Sequence, residues 1–304
     1  MLHEVFYWIF NMSLTATMTG LIIMLISKIK KIPGRLTVFL WIVPFIRLIF
    51  PVGLNSPYSL MTLLSKLTTK TIVVYQPSDN IAFSVMNSVM AADSYFPITY
   101  KVNIIEDIFK VAAIVWIIIA MFILLIFAVT YFTTIYNIRY STHLKDNIYL
   151  SDVISSPAVY GILKPKIILP ARYKDKEIEF IVLHENTHIR CFDNLWRIVA
   201  ILVVSVHWFN PFCWIFLKTF LSDIELSCDE RVLTKIGQEH AKDYASSLLE
   251  SRQNTNEFIS AFGGAKIRTR IENILSFKKL TCFSFILFII LIGTIIFALL
   301  TNAG

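Results

Sequence analysis

Four stretches of the chain, 5–26, 36–52, 111–135 and 280–300, are apolar for about the ~20 residues that a bilayer-spanning helix requires. A short basic turn separates the first two, and a polar segment, 55–107, separates the second from the third. One interval, 136–279, is long and polar enough for a folded domain. The pattern predicts an α-helical polytopic membrane protein of about four transmembrane helices with an inserted α+β domain. Three units follow: three membrane helices in 1–135, the inserted domain in 136–279, and a fourth helix in 280–304.

Inside the inserted domain the pattern changes twice. The segment PAVYGILKPKIILP, 157–170, sets β-branched residues between Gly and Pro. This predicts a small sheet with an exposed edge, because proline is confined to edge strands. Val159, Gly161 and Ile162 are expected to present that edge to a substrate. Further on, 195–221 is apolar enough to pass for a fifth span, but Asn210-Pro211 interrupts it. Asn is a good N-cap and Pro a good first helical residue, so one helix ends there and another begins. Each half is then about 15 residues, or ~22 Å, too short for ~30 Å of hydrocarbon. The expectation is a helical hairpin, 195–236 in all, that either dips into the inner leaflet or lies buried in the soluble domain.

Charge sets the orientation. The 28–35 turn holds Lys28, Lys30, Lys31 and Arg35 and no acid. Arg139 and Lys145 follow the third span, and Lys266, Arg268, Arg270, Lys278 and Lys279 precede the fourth. With alternating spans all three groups fall on one side, which the positive-inside rule makes cytoplasmic. The protease-sized domain is then cytoplasmic, and the N-terminus and the 55–107 loop face outward. The first run has no basic leader and no small-residue cleavage site, so it is expected to stay in the membrane.

Composition agrees. The 304-residue chain is 56% hydrophobic and 16% charged, against roughly 25% charged in ordinary globular proteins. The net charge of +7 sits beside apolar runs. That is a topology signal and argues against direct nucleic-acid binding. Cys191, Cys213, Cys228 and Cys282 have no short paired spacing, so neither a disulfide framework nor a cysteine zinc site is expected.

The candidate chemistry lies in EIEFIVLHENTHIR, 177–190. On a helix His184 and His188 project from one face about one turn apart and can hold one Zn²⁺. Glu185, beside the first of them, is placed to act as a general base toward water. A catalytic zinc needs a third ligand and an open position. Asp193 would lie ~140° off the ligand face of a continuous helix. Glu225 and Asp229 form an i, i+4 carboxylate pair on the second hairpin helix. In an antiparallel hairpin Glu225 comes level with about Leu195, and a kink at Asp193-Asn194 would swing the histidines toward it. Glu225 is therefore the favoured third ligand; the competing reading of Ser222-Asp223-Ile224-Glu225 is a capping box. Asp229 is expected to orient a ligand histidine rather than to bind zinc. His143, His207 and His240 are given structural roles.

The stretches SPAVYGILKPKIILP, LHENTHIRCFDNLW, HWFNPFCW and ELSCDERVL, in that order, resemble the membrane metallopeptidase part of BlaR/MecR-type antirepressors. A protease between the third and fourth spans is similar as well. The resemblance implies a gluzincin-like peptidase in which His184, His188 and Glu225 bind zinc and Glu185 is catalytic. It implies a cytosolic transcriptional repressor as substrate, in a signalling pathway of the antibiotic-resistance type. In that family a penicillin-binding sensor follows the last span. No such stretch follows here, which implies a truncated product or a member served by a separate sensor protein. The lipid bilayer is a partner throughout, and a homodimer stays open. Two other readings stay open too. One is a CAAX-type or quality-control membrane zinc protease, which the same HExxH and ExxxD pattern resembles. The other is a non-catalytic membrane receptor or scaffold with a structural zinc, against which Glu185 argues, since a structural zinc needs no base.

Overall fold

The computed structural model describes residues 2–29, 32–50, 55–56, 58–59, 104–173, 178–252, 267–277 and 282–303. Most of the expected 55–107 loop and the two ends of the basic linker lie outside them. The chain begins with α1 (Leu2–Ser27), two short helices α2 (Gly34–Leu40) and α3 (Ile42–Ile49), and a two-residue strand β1 (Asn55–Ser56). The long α4 (Ile104–Ile138) leads into strands β2 (Thr142–Lys145), β3 (Ile148–Ser151), β4 (Ala158–Tyr160) and β5 (Lys166–Pro170). Then come α5 (Glu179–Arg190), α6 (Asp193–Val206), α7 (Pro211–Ile236), α8 (Ala241–Arg252) and α9 (Ile267–Leu275). Helix α10 (Cys282–Leu300) and strand β6 (Asn302–Ala303) follow.

Among the described residues, two helices are long and apolar enough to cross a membrane: α1, with 26 residues, and the 32-residue stretch Asp107–Ile138 of α4. Only 17% of the most apolar window of α4 is buried. Ile118, Phe122, Leu125 and Phe132 stand on its open surface, an apolar area that calls for lipid or another protein. The expected second span is not one helix. Pro44 has no N–H to return to the Leu40 carbonyl, and the ladder opens at Trp41, between α2 and α3. The start of α2 is secured from α7: Glu230 accepts from the Gly34 and Arg35 backbone N–H groups at 2.7 and 3.1 Å. Those donors would otherwise be orphans of the first turn.

The helix ends fall into matched sets. Phe6 and Phe10 of α1 meet Phe109 of α4, so these two helices start side by side. Arg47 donates to the carbonyls of Leu299 and Thr301 at 3.0 and 2.7 Å, and β1 pairs with β6, so α3 and α10 finish side by side.

The hairpin forms around Asn210, whose side chain accepts from the Phe212 N–H at 3.0 Å, with Pro211 opening α7. Its arms are unequal: α6 has 14 residues and α7 has 26. The expected length of about 15 residues fits α6 but not α7, which runs unbroken past Ser222 to Ile236, where the expected hairpin ends. Asp223 is tolerated there because Trp41 Nε1 donates to it at 2.7 Å. The tip lies between the first half of α1 and the start of α4. Asn210 Nδ2 donates to Ser13 Oγ and Thr17 Oγ1, both at 2.7 Å, and Trp116 Nε1 donates to the Val206 carbonyl at 2.7 Å. One core joins Ala16 and Ile23 of α1 with Leu40, Val204, Phe216 and Phe220. The hairpin is thus continuous with the apolar helices.

The sheet order is β2-β3-β5-β4, with β4 at an edge and antiparallel to β5. The strand ends at Tyr160. Gly161 has φ +90° and turns the chain away, a conformation that glycine adopts readily. Its carbonyl is taken by Asn194 Nδ2 at 3.1 Å, and Ile162 is exposed. The expected edge is therefore shorter than Val159–Ile162: Val159 belongs to it, while Gly161 and Ile162 form the turn beyond.

Candidate metal centre and active site

Helix α5 is wedged between two cores. Ile181 packs into the sheet core with Ile167 and Leu169, while Phe180 and Leu183 pack against the cluster of Val232, Tyr244 and Leu248. Glu179 in its first turn and Arg190 in its last suit the helix dipole. The face left over carries His184, Glu185 and His188 into a cleft of about 320 Å³. Val159 of β4, Asn194 and Arg197 of α6, Glu225 of α7 and Arg270 of α9 also line it.

The outer nitrogen of each imidazole is committed. His188 Nδ1 lies 2.6 Å from Asp193 Oδ2. His184 Nδ1 lies 2.8 Å from the Tyr244 hydroxyl, which donates to Asp229 Oδ1 at 2.6 Å. A carboxylate only accepts, and a hydroxyl already donating to one must accept from the ring, so both Nδ1 atoms carry the proton. Both Nε2 atoms then offer lone pairs, and they lie 3.1 Å apart, with Arg270 Nη2 3.3 Å from that of His184. Two lone pairs at that separation would suit a shared cation. Glu225 completes the triangle, with Oε2 3.6 Å from His184 Nε2 and Oε1 3.7 Å from His188 Nε2. Zinc bonds of ~2.0–2.1 Å at tetrahedral angles put ligand atoms about 3.3 Å apart, so the three atoms fit one ion. Cys228 also approaches, but its Sγ is 3.4 Å from Nδ1 of His184, on the far side of the ring from His188. Burial and the neighbouring carboxylates push its thiol well above the usual range, yet with His184 and His188 it forms a group of ligand atoms close enough together to share a metal ion.

Electrostatics points the same way. Four buried carboxylates, Glu185, Asp193, Glu225 and Asp229, face two guanidiniums, Arg197 and Arg270. Acids outnumber guanidiniums in this centre, a balance that suits a divalent cation. Burial alone would raise the Glu225 carboxyl. Arg270, His188, His184 and Arg197 outweigh it and hold the group well below its ordinary value. For Glu185 the balance falls the other way: burial, with Glu225 beside it, pushes the group up against the lowering effect of His184, Arg197 and Arg270.

The structure gathers His184, Glu185, His188, Glu225 and Val159 around one cleft, and it sets Gly161 and Ile162 outside. Asp229 touches His184 through Tyr244; the direct separation is 3.4 Å. Asp193 is the residue that linear helix geometry misplaces. The helix stops at Cys191, and Phe192 adopts a left-handed conformation with φ 55°, which brings Asp193 back onto His188. Arg197, Tyr244 and Arg270 carry no signal of this role in the sequence.

Parts of the chain are similar in sequence to known proteins. The chain is 33% identical over 104 residues to the methicillin resistance MecR1 protein of Staphylococcus aureus, covering 33% of this chain and 18% of that one. It is 29% identical over 168 residues to the regulatory protein BlaR1 of Bacillus licheniformis, covering 51% and 28% respectively. With BlaR1 of Staphylococcus aureus the identity is 29% over 155 residues, covering 47% and 26%. The chain thus matches less than a third of the length of these relatives. The profile of BlaR1 peptidase M56 matches residues 7–276, from α1 to the end of α9, and the chain accordingly belongs to that peptidase family.

Proposed function

We propose that this chain is a membrane-embedded zinc endopeptidase, gluzincin-like in its ligand set, that cleaves a cytosolic protein. By family resemblance that protein is a transcriptional repressor in a signalling pathway. The observation that carries the reading is the pair of facing Nε2 atoms 3.1 Å apart with the Glu225 carboxylate against both. His184, His188 and Glu225 would hold the ion. Zinc there would supply a Lewis acid that polarises the scissile carbonyl and acidifies water. Glu185 takes a proton from the attacking water on its carboxylate and gives it to the departing amide nitrogen as the C–N bond breaks. Its burial favours the protonated form midway through that transfer. The open edge of β4 at Val159 offers backbone groups to an extended peptide, a mode of binding that makes little demand on sequence.

Four crossings, by α1, α2–α3, α4 and α10, fit the matched helix ends, with the sheet and cleft on the cytoplasmic side. The relatives' names, regulatory and methicillin-resistance proteins, support a signalling role over a housekeeping one. The test is metal analysis of the detergent-purified protein with cleavage of a candidate repressor. About one zinc per chain is expected from this ligand set. Glu225→Ala should lose zinc, and Glu185→Gln should keep it while abolishing cleavage. Full zinc in Glu225→Ala would remove that residue from the centre.

A further inference from the structure

We infer that Arg270 is a positioning residue of the metal centre, holding Glu225 in its ligand geometry from an anchor on Asp229; this rests on the metal site proposed above. Arg270 lies on α9, which packs against α7 and α8 with Ile274 buried among Val232, Leu233 and Tyr244. The side chain is only 3% exposed. Its Nε and Nη2 donate to Asp229 Oδ2 and Oδ1 at 2.8 and 2.7 Å. This is the two-point geometry that fixes the plane of a guanidinium. The plane, once fixed, directs Nη1 at Glu225 Oε2, 3.0 Å away. Asp229 follows Glu225 by one helical turn, so one side chain bridges two carboxylates on the same face of α7. Arg197 holds the other oxygen, Oε1, at 2.6 Å from the opposite wall of the cleft. The carboxylate is pinned at both oxygens, with its edge toward the two Nε2 atoms.

Two physical consequences follow. Without Arg270, Asp229 and Glu225 are buried like charges one turn apart, and they repel. Glu225 would also regain rotamer freedom that metal binding must then remove. A cation this close could instead oppose the metal, since Nη2 also lies 3.3 Å from His184 Nε2. That contact is long, and Nη2 is already committed to Asp229 at 2.7 Å. The anchor, not the histidine, sets where the guanidinium stands. The two roles predict opposite signs: loss of a positioning residue weakens metal binding, and loss of a repelling cation strengthens it.

The experiment uses the full chain in detergent. Three variants are compared: Arg270→Lys, Arg270→Gln and the double Arg270→Met/Asp229→Asn. The double variant removes the charge pair together and leaves no stranded buried carboxylate. The readouts are the rate of zinc release to a chelator and the visible absorption of the cobalt-substituted protein. Arg270→Gln and the double variant should weaken metal retention by about 10–100-fold, the usual effect of losing a residue that supports a ligand, and should alter the cobalt spectrum. Arg270→Lys should recover part of the loss, because lysine keeps the charge without the planar fork. Wild-type release and spectrum in a double variant that unfolds at the wild-type temperature would overturn the inference, as would slower release. A wild-type chain without zinc, or Glu225→Ala that retains it like the wild type, would instead overturn the metal site itself.

Discussion

His188 and Asp193 are five residues apart, yet they meet at 2.6 Å because the helix between them stops. Spacing alone could select His184, Glu185 and His188, since one helical turn is a local relation. Glu225 was within reach of rise arithmetic once Asn210-Pro211 marked a hairpin. Arg197 does lie opposite it, close to the level that arithmetic gives. The supporting groups were not legible. Arg270 is 86 residues from His184, and it served in the sequence only as one charge in a basic stretch. Tyr244 carried no signal, since a buried tyrosine is recognisable only with its partner. These supports have measurable weight. Asp193→Asn should lower zinc affinity by about 10–100-fold, read by chelator competition; unchanged affinity would leave Asp193 with no part in the centre. Glu185→Gln should keep zinc and cut the hydrolysis rate by about 10²–10⁴, the span of general-base contributions. Loss of zinc along with the rate would make Glu185 a structural residue.

Helix α7 shows how an element can be half legible. Its start was written in Asn210-Pro211, and the capping-box alternative at Ser222 is what the unbroken helix to Ile236 removes. Trp41, on a distant helix, satisfies Asp223 and lets α7 continue. The break between α2 and α3 follows from Pro44, which a reading of 36–52 as one apolar run passes over. Helix α7 approaches α1 closely at Gly20. A Cβ at Gly20 would run into the Phe216 ring. Small residues at such crossings let helices approach closely where lipid supplies no hydrophobic drive. Gly20→Val should therefore cost about 1–3 kcal/mol, the usual penalty for overpacking, seen as a lower unfolding temperature in detergent. Adding Phe216→Leu should restore part of it. Equal destabilisation in the single and double variants would show that the two helices do not share this contact.

At the scale of the whole molecule, the hairpin's neighbours matter more than its length. Periodicity gives a helix an apolar face without saying what covers it, and so the sequence left bilayer and soluble domain equally open. The structure places that face against α1 and α4, with the tip at the start of both. The same packing gives the chain two distinct ends. At one end α3 and α10 finish together, and Tyr58, which is 82% exposed, lies just past β1. At the other lies the sheet, with Leu163, 95% exposed, on the turn between β4 and β5. On the proposed topology the basic residues of the 28–35 turn and the stretch before α10 fall at the second end, and the positive-inside rule would put that end in the cytoplasm. A cysteine introduced at Tyr58 should then react with a membrane-impermeant maleimide on intact cells, above the background of the native cysteines. One introduced at Leu163 should react only after permeabilisation. Both side chains are open to solvent, so access across the membrane decides the result, not burial. External labelling of Leu163→Cys would invert the molecule and set its cleft outside, where a cytosolic substrate could not reach Glu185.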